Sequence, residues 1–254
     1  MAETTQEPRL VELEKCIAET RPTLAGVDGW LSDREAAFLT QAAALPTCRG
    51  EILELGSYRG KSTIALARGA ALSDNAPLTT VDIGDPAVLR ENLAAAGVAD
   101  RVRVLHMPST EALASWNAPL RLLWHDGAND SPTVAGDVAS ARRWLADGAI
   151  VAFHDVLNLS GDRVFVFTEN VLGDENFAAC GMVGSIGWAQ FRQNPADARV
   201  FATRKLRLRR QLTRLQQFHN ERQPSWLRKM HYRVLRSMVP HQLIDPEDWQ
   251  RQVA

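Results

Sequence analysis

Glu51-Ile52-Leu53-Glu54-Leu55-Gly56-Ser57-Tyr58-Arg59-Gly60-Lys61-Ser62-Thr63 is the stretch on which the fold turns. An apolar run of strand length ends in a turn with glycines at 56 and 60, and a helix pattern opens directly behind it. Glycine at those positions lets the backbone come close to a ligand that a side chain would block. The helix start presents backbone N–H groups that have no intrahelical partner. The turn is not a nucleotide-phosphate loop, although Gly60-Lys61-Ser62 looks like the end of one. Such a loop needs four residues between its glycines, and Ser57-Tyr58-Arg59 supplies three. Glu54 also sets an anion where a phosphate would lie, which suits a cationic ligand. An NTPase reading, with Asp126 as its magnesium-binding aspartate, therefore falls.

Beyond this turn the chain alternates strand and helix patterns. Strands are expected at Glu51–Leu55, Leu78–Ile83, Val102–Met107, Arg121–His125 and Ala149–His154. Helices are expected at Lys61–Leu72, Pro86–Ala96, Thr110–Ala114 and Thr133–Leu145. In the last of these, Val134, Val138, Ala141 and Leu145 make one packing face. Strands apolar on both sides and separated by helices imply a parallel sheet covered on both faces. Right-handed crossovers bring all the carboxyl ends to one edge, where ligands bind in such sheets. After Asp155, a helix near Asp162–Val171 precedes two strand patterns, Phe177–Val183 and Ile186–Phe191, joined by Gly184-Ser185. So short a connection requires an antiparallel hairpin. The expected fold class is α/β: a Rossmann-like parallel sheet finished by a C-terminal antiparallel hairpin.

Helical segments flank this unit. Glu7 to Glu19 reads as a first helix with Leu10, Leu13 and Ile17 on one face, closed by Pro22, with Gly26 and Gly29 loosening the linker. Ser32-Asp33-Arg34-Glu35 is a capping-box pattern that opens a second helix, Asp33 to Ala44. The chain then divides into an N-terminal helical cap (1–45), a central domain (46–195) and a helical extension (196–254).

The charge of the extension sets it apart. The net charge of -1 conceals 13 Lys+Arg against 5 Asp+Glu in residues 197–254, which leaves 16 basic and 25 acidic residues in the rest. The run Arg204-Lys205-Leu206-Arg207-Leu208-Arg209-Arg210 continues helically through Leu212, Leu215 and Phe218; Pro224 interrupts it, and Trp226 to Val239 forms a second basic helix. Such helices can lie on a membrane surface or an anionic glycan. Alternatively they pack on the acidic body or on a second subunit, as in a homodimer, with their arginines solvated. No recognisable nucleic-acid-binding module accompanies them.

No apolar run is long enough for a membrane span, and Met1 to Arg9 lacks the basic flank and apolar stretch of a secretory signal. Cys16, Cys48 and Cys180 show neither metal-ligand spacing nor a paired framework, so they read as reduced thiols in a cytoplasmic protein.

The second chemical anchor is Asp82, at the end of Thr79-Thr80-Val81-Asp82-Ile83, where a carboxylate can accept both hydroxyls of a ribose. A nicotinamide-dependent oxidoreductase would use the same logic. The chain, however, has no Gly-x-Gly-x-x-Gly run and no evident hydride-transfer Tyr–Lys pair.

Five segments in register make the reading specific: Gly29-Trp30-Leu31-Ser32; Glu54 to Thr63; Asp126-Gly127; Gly148 to Val156 with its His154-Asp155 pair; and Gly184-Ser185-Ile186-Gly187-Trp188. Over residues 25–192 the chain resembles a bacterial subgroup of class I S-adenosylmethionine (SAM) dependent methyltransferases linked to polysaccharide and glycosylated natural-product O-methylation. The resemblance implies that the loop with Glu54, Gly56, Ser57 and Gly60 holds the methionine part of SAM. Ser62 and Asp126 belong to the same cofactor set, Asp82 holds the ribose, and Ser109 lines the adenine pocket. It implies further that Asp126, His154 and Asp155 bind a divalent metal, Mg²⁺ first, although a histidine ligand leaves the ion's identity open.

The acceptor would be a hydroxyl of a sugar, oligosaccharide or glycosylated small molecule, and a hydroxyl needs a base or a metal before it attacks. His154 is the first candidate base if it is not a ligand, with Asp126 the second. His125 is expected to point away from Asp126 by strand alternation. One departure stands out: relatives carry a histidine three residues after the first metal-site aspartate, where this chain has Asn129. Either His154 or Asp126 takes over, or the metal suffices, or the protein binds SAM without catalysis.

Overall fold

The computed structural model describes residues 6–158, 161–219, 225–242 and 245–253. The strands are β1 (Glu51–Leu55), β2 (Leu78–Asp82), β3 (Val102–His106), β4 (Leu120–His125), β5 (Leu145–Phe153), β6 (Phe177–Val183) and β7 (Ile186–Phe191). They form one sheet in the order β3-β2-β1-β4-β5-β7-β6. The first five run parallel, and β7 joins β5 antiparallel as half of the β6–β7 hairpin. The helices are α1 (Gln6–Ala25), α2 (Asp33–Ala44), α3 (Lys61–Ala71), α4 (Ala87–Ala95), α5 (Ser109–Ser115), α6 (Ser131–Arg142), α7 (Arg163–Val166), α8 (Pro195–Ala198), α9 (Ala202–Gln216), α10 (Trp226–Ser237) and α11 (Pro246–Val253).

Strand order reverses at β1. The chain runs outward through β2 and β3, then returns to the other side of β1 as β4. The carboxyl ends of β1 and β4 therefore diverge at a topological switch point, where an open parallel sheet leaves a crevice. Both faces of the sheet are covered because neighbouring residues on a strand point opposite ways. Leu53, Leu123 and Val151 enter one core with Phe167 and Leu212. Ile52, Leu122 and Ile150 enter the other with Phe38, Ile64 and Trp188.

Four local readings are corrected. α1 does not stop at Pro22 but continues to Ala25. A proline in the last turn removes a single backbone donor, and burial of Leu24 and Val27 carries the helix on. Leu145 does not close the helix before it; it opens β5 and pairs with Leu120. His154 lies one residue past β5, although its N–H still donates to the His125 carbonyl. The expected helix at Asp162–Val171 is one short turn, α7, followed by a wider π turn at Phe167–Val171.

The extension packs on the sheet. Leu208, Leu212, Leu215 and Phe218 are buried, and α11, which no pattern announced, sets Trp249 against Phe38 and Trp188. Among the described residues no helix is long and apolar enough to cross a membrane. The three cysteines are free thiols. The readings placed on Met1–Thr5 and Pro224 lie outside the described residues.

Candidate active site

Three strand-end turns, after β1, β2 and β4, meet at the crevice. Gly56 has φ +93°, and its N–H donates to Val81. A Cβ on Gly56 would collide with the backbone of Asp126 and Gly127. A Cβ on Gly60, at φ +90°, would meet Leu89. Protein packing thus requires glycine at both positions, and Gly56 also lines the crevice. The amides of Ser57 and Tyr58 each donate to Asp82 Oδ2 at 2.8 Å, and that of Gly84 donates to Oδ1 at 2.8 Å. Burial pushes the Asp82 carboxyl upward, but these donors outweigh it and hold the group below the usual carboxylate range. Asp82 thereby ties the β1 turn to the tip of β2 while still facing the crevice.

Glu54 behaves differently from its sequence reading. Its side chain is fully buried and does not line the crevice. It accepts the hydroxyls of Ser62 and Thr63, both at 2.5 Å, and so anchors the first turn of α3 beneath the loop. Burial is the main reason its carboxyl is pushed up to about 7.

The crevice holds a cavity of about 560 Å³, within the span of small-molecule sites. Of the residues expected around a cofactor, Gly56, Ser57, Ser62, Asp82, Ser109 and Asp126 line it, while Glu54 and Gly60 do not. Ser109 donates to Asp137 Oδ1 at 2.9 Å, and the other oxygen of Asp137 lies 3.1 Å from His125 Nε2. His125 is fully buried in this pair and stays out of the cavity. At the mouth, Trp30 is 81 % exposed and its ring centroid lies 5.4 Å from that of Tyr58.

Asp126, His154 and Asp155 come together as expected, but with company that the sequence did not announce. His154 Nδ1 lies 3.2 Å from Asp126 Oδ1 and 3.9 Å from Asp155 Oδ2, and its Nε2 lies 3.7 Å from Glu35 Oε2. The Glu35 contact is an ion pair, too long for a hydrogen bond. Burial opposes charge on this imidazole, yet the Asp126 and Glu35 carboxylates prevail and lift its pKa to about 10. Glu35 itself caps α2 through Ser32 and accepts the amide and hydroxyl of Ser185 at 2.6 and 2.7 Å. Burial would raise its pKa, but these donors and His154 hold the group far below the usual range.

Arg163 completes the cluster. It is 2 % exposed, and its Nε and Nη2 donate to the Ala128 and Gly127 carbonyls at 3.1 and 2.9 Å. Its Nη1 lies 3.5 Å from Asp126 Oδ1 and 3.8 Å from Asp155 Oδ2. Nothing local in the sequence marks Arg163, because its partners sit on other strand ends. Glu35 was legible only as a helix cap.

Residues 53–156 match the family described as "Methyltransferase domain". A catechol O-methyltransferase of Mycobacterium tuberculosis is 31 % identical over 132 residues, 52 % of this chain; the match spans 59 % of that protein's length. An O-methyltransferase from Bacillus cereus in complex with SAH superposes with a TM-score of 0.54 at 20 % identity, covering 71 % of this chain and 90 % of that one. CalS11, a TDP-rhamnose 3'-O-methyltransferase of calicheamicin biosynthesis, gives 0.51 at 16 % identity, covering 70 % and 93 %. The fold is that of the class I methyltransferases.

In a methyltransferase fold of this kind the Asp126–His154–Asp155 cluster raises the question of a metal. The donor set does not fit one. Mg²⁺ takes oxygen ligands at about 2.0–2.1 Å in a near-octahedral shell. Here the two aspartates share a buried guanidinium, and His154 Nδ1 faces the same two carboxylates at 3.2 and 3.9 Å, so their charge is already met by the protein's own side chains. A divalent ion would sit against the Arg163 guanidinium already in place. Among the described residues no group of three or more His, Cys, Asp or Glu is arranged to hold an ion.

Proposed function

We propose that the protein is a SAM-dependent O-methyltransferase that methylates a hydroxyl of a sugar, oligosaccharide or glycosylated small molecule. The observation that carries this reading is a single cavity at the sheet's switch point, lined both by Ser57, Ser62 and Asp82 and by the charged Asp126–His154 cluster. Likeness to O-methyltransferases in sequence and fold supports the reaction type.

In this reading Asp82, with its oxygens steered by three amides, accepts the ribose hydroxyls. Met107 and the exposed Ile83 offer apolar walls beyond it, with Ser109 between them and Asp137, where an adenine would lie. When bound, SAM supplies a methyl on a sulfonium, and transfer needs the acceptor oxygen in line behind it. Trp30 and Tyr58 give the mouth an aromatic wall against which the apolar face of a sugar ring can rest. CalS11, which shares the fold, is named for methylation of a TDP-sugar, and this supports the carbohydrate acceptor.

Both ring nitrogens of His154 face carboxylates, Nδ1 toward Asp126 at 3.2 Å and Nε2 toward Glu35 at 3.7 Å, so we give it a positioning role and not that of the base. We assign proton acceptance to the Asp126 carboxylate. As the hydroxyl oxygen gains its bond to the methyl carbon, its O–H becomes strongly acidic, and the proton passes to Asp126. A modest base suffices for so acidic a proton. His154 and Arg163 fix the carboxylate in position, and the cation near the reacting oxygen is the protein's own.

Two measurements test the proposal. Titration calorimetry should show heat with SAM and with its demethylated product; its absence on folded protein would sink the cofactor assignment. Labelled methyl should pass from SAM to TDP-sugars or oligosaccharides. Binding without transfer to any hydroxyl acceptor would leave a SAM-binding protein without catalysis, a reading that Asn129 in the cavity wall keeps in view.

A further inference from the structure

Five of the twelve large apolar side chains exposed among the described residues belong to α10 or its C-terminal cap. Trp226 and Leu227 are each 71 % exposed, Val234 and Met238 each 53 %, and Met230 37 %. At about 100° per residue these five fall within one arc of roughly 120°. A second arc, adjoining the first, carries Lys229, Arg233 and Arg236, all in solvent. The third arc is the one that packs. Tyr232 is buried with its hydroxyl donating to the Leu157 carbonyl, and Arg228 lies 4.6 Å over the Phe218 ring. The helix already has a core-facing side, so the apolar arc is not that side turned outward.

The neighbouring helix continues the pattern. Arg207, Arg210 and Arg214 of α9 line a groove of about 370 Å³ together with the half-exposed Leu206. Gln211, in the same groove, donates to the Met238 carbonyl at 2.9 Å, so the groove opens where the apolar arc of α10 ends. Residues 199–236 hold twelve Lys+Arg and one acidic residue, Glu221, in a chain of net charge -1. Apolar side chains that flank a concentrated positive field match a layer of anionic headgroups over acyl chains. A two-fold contact with a second copy through the same arc would instead set Lys229, Arg233 and Arg236 against their own equivalents.

We propose that α10, with the arginine groove of α9, docks this protein on an anionic phospholipid surface. The inference stands apart from the methyl-transfer reading and holds whatever the sheet-edge cavity binds.

Sedimentation of the full chain with vesicles tests it. Binding to mixed phosphatidylglycerol–phosphatidylcholine vesicles should exceed binding to pure phosphatidylcholine by about tenfold or more, and should weaken with salt. Leu227→Asp and the pair Lys229→Glu/Arg233→Glu should each cut anionic-vesicle binding by about tenfold, with an unchanged thermal transition, since these side chains are exposed. Quenching of parental tryptophan fluorescence by brominated acyl chains, absent in Trp226→Phe, reads the same contact without a charge change. Equal binding to neutral and anionic vesicles, variants that bind like the parent, or no quenching would each overturn the proposal. So would a dimer, seen by light scattering, that Leu227→Asp dissociates: it would give the arc to a second copy.

Discussion

A carboxyl cut off from water, with hydroxyls as its nearest donors, keeps its proton longer than the same group in an unfolded chain. For Glu54 the pKa rises from 4.5 to about 7. Between those values the folded state holds a proton that the unfolded state has released, so stability falls as pH rises through that window. Glu54→Gln removes the dependence. It should melt higher than the parent above pH 7, by on the order of 3 kcal/mol at most, with the difference vanishing toward pH 4.5. Melting curves on both sides of the window check this. His154 acts at higher pH. Its folded pKa of about 10, against 6.5, contributes stability that is complete below 6.5 and lost as pH climbs through 10. Thermal melts of His154→Gln should therefore lack the alkaline decline of the parent. In the proposed reaction Arg163 supplies the cation beside Asp126. Arg163→Met should slow methyl transfer by about 10²-fold or more, while a chelator leaves the parental rate unchanged. A rate restored only by added Mg²⁺ after chelation would show that an ion, not Arg163, fills this role.

The elements that form the cavity differ in how plainly the sequence wrote them. The turn after β1 was readable because its chemistry is local: glycines at fixed offsets, a helix opening behind, and an apolar run of strand length before it. The hairpin β6–β7 was readable because chain length alone forbids any other connection. Pro22 and Leu145 were misread for the opposite reason, since packing partners far along the chain settle the helix end at one and the strand start at the other. Glu35, Asp137 and Arg163 share this cause. Asp137 and Arg163 stand in helices whose local pattern is satisfied without them, the pattern at Glu35 announces a helix cap alone, and the ionic partners of all three lie on other elements. Gly56 shows the strength of such element-to-element contact. With φ +93° and the backbone of Asp126 and Gly127 against it, Gly56→Ala should cost about 3 kcal/mol or more. Chemical denaturation measures that loss, and a near-parental midpoint would mean that the β1 and β4 turns are not in contact.

At the scale of the whole molecule, an acidic sheet domain wears a basic helical shell that is also part of its core. Leu208, Leu212, Leu215 and Phe218 cover one face, and Trp249 covers the other beside Trp188. The tail further supplies Gln242, whose N–H donates to Met182, so the outer edge of β6 has a partner there. Composition disclosed the charge division; it could not disclose that the same segment closes the core, because apolar residues spaced along basic helices suit either role. Truncation after Asn194 should therefore yield protein that associates through uncovered apolar surface and an open strand edge. Size-exclusion chromatography checks it, and a monodisperse, folded 1–194 fragment would show the shell to be dispensable.

The placement of the tryptophans gives the molecule two built-in optical reporters. Trp116, Trp124, Trp188 and Trp249 are buried, whereas Trp30 stands at the cavity mouth and Trp226 on the basic shell, 81 % and 71 % exposed. Iodide quenching of a Trp226→Phe protein would follow the filling of the cavity through Trp30, and a Trp30→Phe protein would follow contact at the shell. The two events can be watched separately in one unlabelled chain.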